Sequence, residues 1–265
     1  MDFTVITPSL NYGRFLDDCL SSVVNQSGVS VEHLVFDGGS TDDSAAVAAG
    51  YSNIIWSQEP DSGMSVAINK GFERAQGDWV IWLNADDRLK PDVLAKVLVE
   101  LKKSNADVVY GDYDFIGESG TLVRQMNVPI WSAFVHIYHH CYVPSTAAFY
   151  RNSTVIGKGY RLREDFHYVM DGEFYARLAS VAKKFRHISI NIADFRMHGG
   201  NASLRHLNKT RDMDTILAAE RQHVESRAIR RAYGHSILKD PYLEGLIDGV
   251  FSILARGVKA VLKLI

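Results

Sequence analysis

The sequence predicts an α/β fold with a mostly parallel central sheet and helices on both faces of that sheet. Through the first hundred residues, short apolar segments alternate regularly with segments of helical periodicity, which is typical of parallel strands joined by helices. The chain of 265 residues is 46% hydrophobic and 23% charged, as expected for a globular protein with a substantial core. Its length suffices for one large α/β domain or two small ones.

The predicted elements of the first half follow one another in strict alternation. The strands are predicted over residues 3–9, 32–38, 53–58, 78–84 and 106–112, and the helices over 14–25, 41–49, 65–75 and 91–104. The first helix carries Phe15, Cys19 and Val23 on one apolar face. Pro91 stands in the first turn of the fourth helix, where a proline removes no hydrogen bond.

After residue 110 the pattern changes to a mixed arrangement with a helical tail. The predicted elements are a hairpin over 110–125 with its turn at 117–120, a helix over 172–180, a strand over 183–198, and helices over 204–231 and 242–264. These patterns divide the chain into a nucleotide-binding half, a mixed half and a helical region. Their predicted boundaries are 1–110, 111–203 and 204–265.

Composition limits the partners and the compartment. The formal net charge of −2 gives no reason to expect binding to a nucleic acid polymer. Cys19 and Cys141 lie far apart and form no disulfide framework, which favours a reducing, cytoplasmic location. The opening MDFTVITPSLN has no basic region or cleavage site and is predicted to be a core strand, and no apolar run is long enough to span a bilayer.

The carboxyl ends of the predicted strands carry acidic residues. Asp37 ends the second strand, Asp61 follows the third, and Asp86 and Asp87 follow the fourth. Parallel α/β sheets bind ligands at this edge, so these carboxylates are expected to line one crevice. In DGGSTDDS, Asp37 can accept the imide N–H of a uracil ring. The two later acids of this motif are explained by the dipole of the following helix.

The segment LNADD, residues 83–87, is predicted to hold a divalent cation. Mg²⁺ and Mn²⁺ prefer oxygen ligands, usually one or two carboxylates supplemented by substrate phosphates and water. Asp86 suits a direct ligand, while Asp87 either supports it or engages the sugar. Asn84 offers a neutral amide oxygen or a hydrogen bond to ribose. A bound cation would also relieve the repulsion between the adjacent acids.

Two further residues of the second half are candidates for the site. Asp171 stands at the start of a predicted helix, so it is either an N-cap or a general base; Glu173 has its own dipole explanation. His198, followed by two glycines, is either a phosphate or metal contact or a loop histidine without a chemical role. The three histidines of HIYHH, residues 136–140, match no zinc spacing and are attributed to packing or to the lining of an acceptor site.

Taken together, these motifs resemble the inverting family 2 glycosyltransferases, which have the GT-A fold. TPSLNYGRFLDDCLSSVVNQ, VFDGGSTDDS, EPDSGMSVAINKG, GDWVIWLNADD, VPSTAAFYR and MDGEFYARL occur in the order and spacing of that family, across roughly residues 3 to 200. The resemblance implies a uridine pocket lined by Thr7, Pro8, Asp37 and Asp61. It makes residues 111–203 the half that holds the acceptor and the catalytic base.

The resemblance also implies a metal site and a base. Asn84 and Asp86 take the two positions of the Asp-x-Asp motif, with Asp86 holding Mg²⁺ or Mn²⁺, and Asp171 takes the position of the base. Two positions depart from the family. Asn84 replaces the usual first acid, and Ile68 stands where many members have an arginine. The departures leave the metal ligand and the base in place.

The implied activity is the transfer of a sugar, with inversion, from a UDP-sugar to a hydroxyl acceptor. The acceptor would be a saccharide or lipid-linked, in the synthesis of a cell-surface polysaccharide or glycolipid. The alternative is a non-catalytic relative that binds a nucleotide sugar or serves as a scaffold, but the presence of Asp86 and Asp171 favours the enzyme. A nucleotidyltransferase is less favoured, because no glycine-rich phosphate loop with a basic residue follows the first strand.

The predicted helix over 242–264 is amphipathic, with a broad apolar face and only positive charges in its last half. This composition suits a helix lying on the inner face of the cell membrane, which would make the protein peripheral there. The alternatives are docking on its own domain or on a second copy of the chain.

Overall fold

The computed structural model describes residues 1–201 and 213–238, which form an α/β fold around one nine-stranded sheet. The strands are β1 Phe3–Ser9, β2 Val31–Asp37, β3 Ile55–Gln58, β4 Trp79–Trp82, β5 Arg88–Leu89, β6 Val108–Ile116, β7 Leu122–Met126, β8 Ala148–Arg151 and β9 Phe185–Arg196. The helices are α1 Gly13–Val24, α2 Ser44–Ala48, α3 Met64–Arg74, α4 Val93–Lys103, α5 Ala133–Tyr138, α6 Met170–Ser180 and α7 Met213–Leu238.

The predicted parallel arrangement of the first half is confirmed. The strand order along the sheet is β3-β2-β1-β4-β8-β6-β9-β5, and β1 pairs in parallel with both β2 and β4. Ser9 lies opposite Asp37, and Asp37 lies opposite Gln58. The carboxyl ends of these strands are therefore level with one another, and the loops that follow them meet at one edge.

Beyond β4 the sheet departs from a simple parallel order. The strand predicted over 106–112 is β6, which is not the neighbour of β4, because β8 lies between them and pairs antiparallel with both. The parallel neighbour of β6 is β9. The predicted boundary between residues 110 and 111 falls inside β6, so both halves contribute to one sheet.

Two local features were predicted with different success. The hairpin of β6 and β7 forms as predicted, with the backbone N–H of Gly117 donating to Thr121 O at 2.8 Å. The two-residue strand β5 was not predicted. It pairs antiparallel with β9 through Arg88 and Asp194, and it fixes the loop after β4 against the end of β9.

Helices cover both faces of the sheet, as predicted. One face packs Ile6, Trp82 and Phe72 of α3 together with residues of α6. The other packs Val5 and Ile81 against α1 and α4. Strand alternation places successive residues of β1 in opposite layers. Ile68, which stands where many members of the resembled family have an arginine, is completely buried in the first of these layers.

The C-terminal part was predicted only approximately. The helix predicted over 204–231 is observed as α7 over Met213–Leu238, and residues 204–212 of the prediction lie outside the described residues. It packs on α5 and α6, where the guanidinium of Arg230 donates to His136 O at 2.8 Å. The helix predicted over 242–264 lies outside the described residues. Within the described ranges, no helix is long and apolar enough to cross a bilayer.

Candidate active site

A crevice of about 140 Å³ opens where the carboxyl ends of β1 and β4 face the beginning of α6. It brings together four of the predicted site residues: Pro8, Asn84, Asp86 and Asp171. Its other lining residues are Tyr12, Met64, Trp82, Ala85, Ser145, His167, Tyr168, Met170, Phe195 and Asn201. Residues distant in the chain thus line a single crevice, to which the loop after β4 and helix α6 each contribute a carboxyl group.

Asp171 is half-buried in the first turn of α6, one residue inside the helix, and its side chain does not cap it. Its Oδ1 accepts the backbone N–H of Gly172 at 2.7 Å, and the Sγ of Cys141 lies 3.9 Å from its Oδ2. Burial raises the pKa of Asp171, while the Gly172 N–H and the charge of Arg230 oppose that rise. A carboxylate with a raised pKa is a stronger base than an exposed one, which suits proton abstraction.

Glu173, two residues further along α6, points away from the crevice. Its side chain is completely buried, forms an ion pair with Arg177 at 2.8 Å and accepts the hydroxyl of Tyr233 at 3.1 Å. These partners occupy both of its oxygens in the core. Glu173 is therefore a structural acid, and Asp171 is the carboxyl of this helix that faces the crevice.

Asp86 lines the same crevice, in the loop after β4, and is held by the loop that follows β9. Its Oδ2 contacts His198 Nε2 at 2.9 Å and Asn201 Nδ2 at 3.2 Å. The backbone N–H of Gly200 donates to His198 Nδ1 at 3.0 Å. An Nδ1 that accepts carries no proton, so the proton is on Nε2 and is donated to Asp86. His198 is thus brought to the site, where it acts as a hydrogen-bond donor.

Arg196 and Asn201 are site residues that the sequence did not reveal. Arg196 is buried at the end of β9, donating through Nε to Asp86 O at 2.9 Å and through its backbone N–H to Asp87 Oδ1 at 2.9 Å. Its Nη2 also donates to Asp18 Oδ2 at 2.6 Å. The sequence signal that could have identified Arg196 was its position at the end of an apolar strand. Asn201 begins an Asn-Ala-Ser triplet of the kind that is glycosylated in secreted proteins, and this pattern did not indicate a contact with Asp86.

Asp87 lies beneath the loop and does not line the crevice. Its oxygens accept the Arg196 N–H and, at 3.2 Å, the amide of Asn84. Burial, followed by the neighbouring charge of Asp86, raises its pKa well above the usual value. The structure therefore assigns Asp87 the supporting role and gives no basis for the predicted contact with a sugar. The two adjacent acids differ because the turn places Asp86 in the wall of the crevice and Asp87 in the core beneath it.

The residues at this wall fit a divalent cation with few protein ligands. Asn84 Oδ1 is buried and, within the described part of the chain, has no hydrogen-bond partner. Asn84 lines the crevice together with Asp86, so one amide and one carboxylate side chain, both with oxygens of the kind that Mg²⁺ and Mn²⁺ prefer, belong to the same wall. Among the described residues, no three His, Cys, Asp or Glu side chains converge as a ready cation cage.

The predicted uridine residues fall into two groups. Asp37 is buried, and its carboxylate accepts the N–H groups of Gly39 and Ser40 at 3.0 and 2.7 Å. The carboxylate of Asp61 lies over Gly38, where an added Cβ would come within 3.2 Å of it. Gly38 therefore permits the close approach of the loops after β2 and β3. Neither acid lines the 140 Å³ crevice, and both stand at its β2 side.

Thr7 does not face the crevice, in contrast to the prediction from resemblance. Its side chain is completely buried and lies 2.8 Å from His33 Nε2. The reason is strand alternation: Pro8 lines the crevice, so the side chain of Thr7 points to the opposite layer. Only the backbone of Thr7 remains near the ligand edge. His136 of the HIYHH segment is also buried and bonds Gly172 O at 2.8 Å, in agreement with a packing role.

The fold of the chain, with acids gathered at the carboxyl ends of its parallel strands, is of the GT-A type. The structure of S. aureus TarS 1-349 in complex with UDP superimposes with a TM-score of 0.64, covering 92% of this chain and 77% of that chain at 18% identity. The TarS complex with UDP-GlcNAc gives a TM-score of 0.65, covering 96% and 79% at 16% identity. At this identity the likeness shows the fold alone.

The chain belongs to glycosyl transferase family 2, whose model matches residues 4–158. It is 30% identical over 210 residues to a PGL/p-HBAD biosynthesis glycosyltransferase of Mycobacterium bovis, which covers 75% of this chain and 78% of the relative. It is 34% identical over 123 residues to the putative teichuronic acid biosynthesis glycosyltransferase TuaG of Bacillus subtilis, covering 44% of this chain and 49% of TuaG. The resemblance inferred from the motifs is thereby confirmed.

Proposed function

We propose that this glycosyltransferase transfers a sugar, with inversion, from a UDP-sugar to a hydroxyl of a saccharide or lipid-linked acceptor. The observation that carries the proposal is the half-buried carboxyl of Asp171 facing the Asn84 and Asp86 wall within one crevice. The TarS complexes with UDP and UDP-GlcNAc support the donor class. The names of the mycobacterial and Bacillus relatives support a role in cell-surface glycolipid or polysaccharide synthesis.

The reaction is a single displacement. The acceptor hydroxyl loses its proton to Asp171 as its oxygen attacks the anomeric carbon from the face opposite the UDP. The bond from that carbon to the diphosphate oxygen breaks, and UDP departs with the electron pair. A single base opposite the leaving group gives inversion and needs no covalent intermediate. The raised pKa of Asp171 makes its carboxylate a better proton acceptor at the pH of the cell.

The leaving group is received at the opposite wall. Asp86 and the unpartnered Oδ1 of Asn84 would hold Mg²⁺ or Mn²⁺. Such an ion would supply positive charge against the negative charge that grows on the departing diphosphate. His198 and Asn201 orient the carboxylate of Asp86 by donating to its Oδ2. Because Asn84 carries no charge, affinity for the ion depends largely on the phosphates of the donor.

The nucleoside is placed at the β2 side of the crevice. Pro8 lines its floor, and Asp37 and Asp61 lie where the loops after β2 and β3 meet. Asp37 is already rigidly held by Gly39 and Ser40, so its carboxylate is fixed before the uracil arrives. A fixed acceptor reduces the ordering cost of binding.

The test is to incubate the purified chain with a panel of UDP-sugars and Mn²⁺ and to measure UDP release with and without EDTA. Calorimetry with UDP is run in parallel. We expect UDP binding and metal-dependent release. UDP binding without release or transfer to any acceptor would favour the non-catalytic relative. The absence of both binding and release would exclude the proposed donor.

A further inference from the structure

A second and larger cavity, which we call the hairpin groove, lies beyond Cys141 from the crevice. Its volume is about 800 Å³, within the range of roughly 300–1,000 Å³ typical of ligand pockets. Its walls are the middle of β6, the end of β7, the segments 127–130 and 140–142, and the middle of β9. No residue of this groove belongs to the crevice described above.

The inner end of the hairpin groove reaches the proposed base. Cys141 lines the groove, and its Sγ lies 3.9 Å from Asp171 Oδ2. The other oxygen of Asp171 is turned toward its own helix, where it accepts the Gly172 N–H. Burial, together with the charge of Asp171, raises the pKa of Cys141, so the thiol stays protonated and donates. The oxygen of the base that faces Cys141 is therefore the one that a group in the groove would approach.

The walls of the groove have the chemistry of a saccharide site. Tyr113 and Tyr142 supply aromatic surface. Arg124, Gln125 and Ser189 supply exposed groups that donate or accept hydrogen bonds. A sugar presents apolar C–H faces and a rim of hydroxyls, so it needs both kinds of wall.

The groove offers one cationic side chain to an acidic ligand. Asp112, the one carboxylate among the lining residues, keeps its negative charge, and its Oδ1 is engaged by the backbone N–H of Val128 at 2.8 Å and by His187 Nε2 at 2.9 Å. None of the ion pairs of the described residues includes Arg124. Its guanidinium is therefore available to a carboxylate or phosphate of the ligand.

We propose that the hairpin groove binds the acceptor, and that the acceptor is an acidic saccharide whose charged group lies against Arg124. This inference rests on the proposed function, because it takes Asp171 as the base. The reacting hydroxyl lies at the inner end, beside Cys141, where its proton passes to Asp171 Oδ2 as the new glycosidic bond forms. The hydroxyl and the UDP then lie on opposite faces of the anomeric carbon, as a displacement with inversion requires, and Asp171 lies on the side of the hydroxyl.

The experiment uses the full chain and two tetrasaccharide probes, acidic tetragalacturonate and neutral maltotetraose. Dissociation constants are measured by ligand-observed NMR, with and without saturating UDP. Tetragalacturonate is expected to bind more tightly than maltotetraose and to remain bound when UDP is added. Arg124→Ala is expected to raise the dissociation constant of tetragalacturonate about tenfold, as for the loss of one charge-assisted hydrogen bond. The dissociation constants of maltotetraose and UDP are expected to stay unchanged.

Two further variants make the test specific. Val123→Ala changes an exposed neighbour on the same edge strand that does not line the groove, and it is expected to change no affinity. Ser189→Trp places a bulky ring in the groove from an exposed position, and it is expected to weaken both tetrasaccharides while the UDP dissociation constant stays within twofold of the wild type.

The inference is overturned if neither tetrasaccharide binds, if UDP displaces them, or if Arg124→Ala and Val123→Ala behave alike. These outcomes are separate from failure of the proposed function. A chain that binds tetragalacturonate but not UDP would retain the groove and lose the proposed donor. A chain that binds and releases UDP but binds neither saccharide would retain the proposed function and lose the groove.

Discussion

Asp171 and Glu173 show how two carboxyls on one helix take different roles. They are two residues apart in α6, so they point in different directions from the helix axis. Asp171 faces the crevice, with one oxygen toward Cys141. Glu173 faces the core, where Arg177 and Tyr233 satisfy it. Only the first has an accessible oxygen, so only the first can accept a proton from a substrate.

The first prediction is that Asp171→Asn abolishes transfer and keeps UDP binding. The amide accepts no proton, whereas the uridine and diphosphate walls are untouched. The thermal midpoint at neutral pH is expected to stay level or to rise, because burial already disfavours the charged form of Asp171. Transfer is measured by UDP release in the presence of acceptor, and binding by calorimetry.

The matched control is Glu173→Gln. It leaves the Arg177 guanidinium without its charged partner in the core, and it is expected to lower the free energy of unfolding by about 1–3 kcal/mol. Transfer per folded molecule should persist. If Glu173→Gln abolished transfer while Asp171→Asn did not, the base would be assigned wrongly.

The second prediction concerns pH. Asp171 must be deprotonated to act, and its pKa is raised by burial. As the pH falls, kcat/KM for transfer should therefore begin to decline at a higher pH than an ordinary aspartate, of pKa 3.8, would give. The affinity for UDP should not decline over the pH range in which kcat/KM declines. An acid limb centred at or below the ordinary aspartate value would contradict the assignment.

The third prediction uses the neutral residue at the cation wall. Asn84→Asp adds a carboxylate beside Asp86 and removes the amide that donates to Asp87. Mn²⁺ binding in the absence of UDP should become about tenfold tighter, because charge count sets affinity for hard cations. The metal-free variant should unfold at a lower temperature, since three acids then repel one another. Unchanged Mn²⁺ affinity in calorimetry would argue against a cation at this wall.

At the scale of elements, α7 is attached to the segment that precedes the base. Gln222 Oε1 accepts the backbone N–H groups of His167 and Tyr168 at 2.9 and 3.2 Å. Both of those residues line the crevice, and α6 begins two residues later. The match to the family model ends at residue 158. Gln222 and the two residues that it contacts follow that point, so the family model does not include this contact. Gln222 is therefore a positioning residue that acts through the loop.

The fourth prediction is that Gln222→Ala lowers kcat for transfer more than it alters the KM for the donor. Loss of the shared acceptor leaves two backbone N–H groups to water and costs about 1 kcal/mol of stability. Val224→Ala, at an exposed position on the same helix, is the control and should change neither quantity. Equal effects of the two substitutions on kcat would contradict a positioning role for Gln222.

At the scale of the whole molecule, the sheet determines where the chemistry occurs. β8 separates β4 from β6, and β9 returns in parallel beside β6 to end at Asp86 and Asp87. That return delivers Arg196 and the His198 loop to a wall built by the first half. The crevice therefore exists only when both halves of the sheet are assembled.

The fifth prediction concerns the chain beyond the described residues. The segment 242–264 is amphipathic and basic in its last half, so the full chain should sediment with vesicles that contain phosphatidylglycerol and not with pure phosphatidylcholine. Changing Arg256, Lys259 and Lys263 to Glu should weaken this at least about tenfold, given roughly 1 kcal/mol per basic residue. Sedimentation unaffected by the changes, or absent from the start, would favour docking of the helix on protein.

The elements of the first half were predictable because each one is signalled locally. Periodicity located β1 to β4 and their helices, and a turn rich in glycine located the hairpin of β6 and β7. The insertion of β8 and the short strand β5 were not predictable in this way, because pairing partners distant in the chain define them. The prediction that Thr7 lines the pocket rested on the family resemblance. A resemblance identifies the position in the chain, but it does not tell on which face of β1 the side chain lies.

The sequence by itself determined the family, the α/β alternation and the concentration of acids at the carboxyl ends of the strands, because these are written in local patterns and ordered motifs. Only the tertiary structure decided which acid does what. It placed Asp86 in the wall of the crevice and Asp87 beneath it, set Asp171 against Cys141 and the hairpin groove, and placed Glu173 in the core. The physical reason is that burial and hydrogen-bond partners, contributed by residues up to 115 positions away, set the role of each carboxylate.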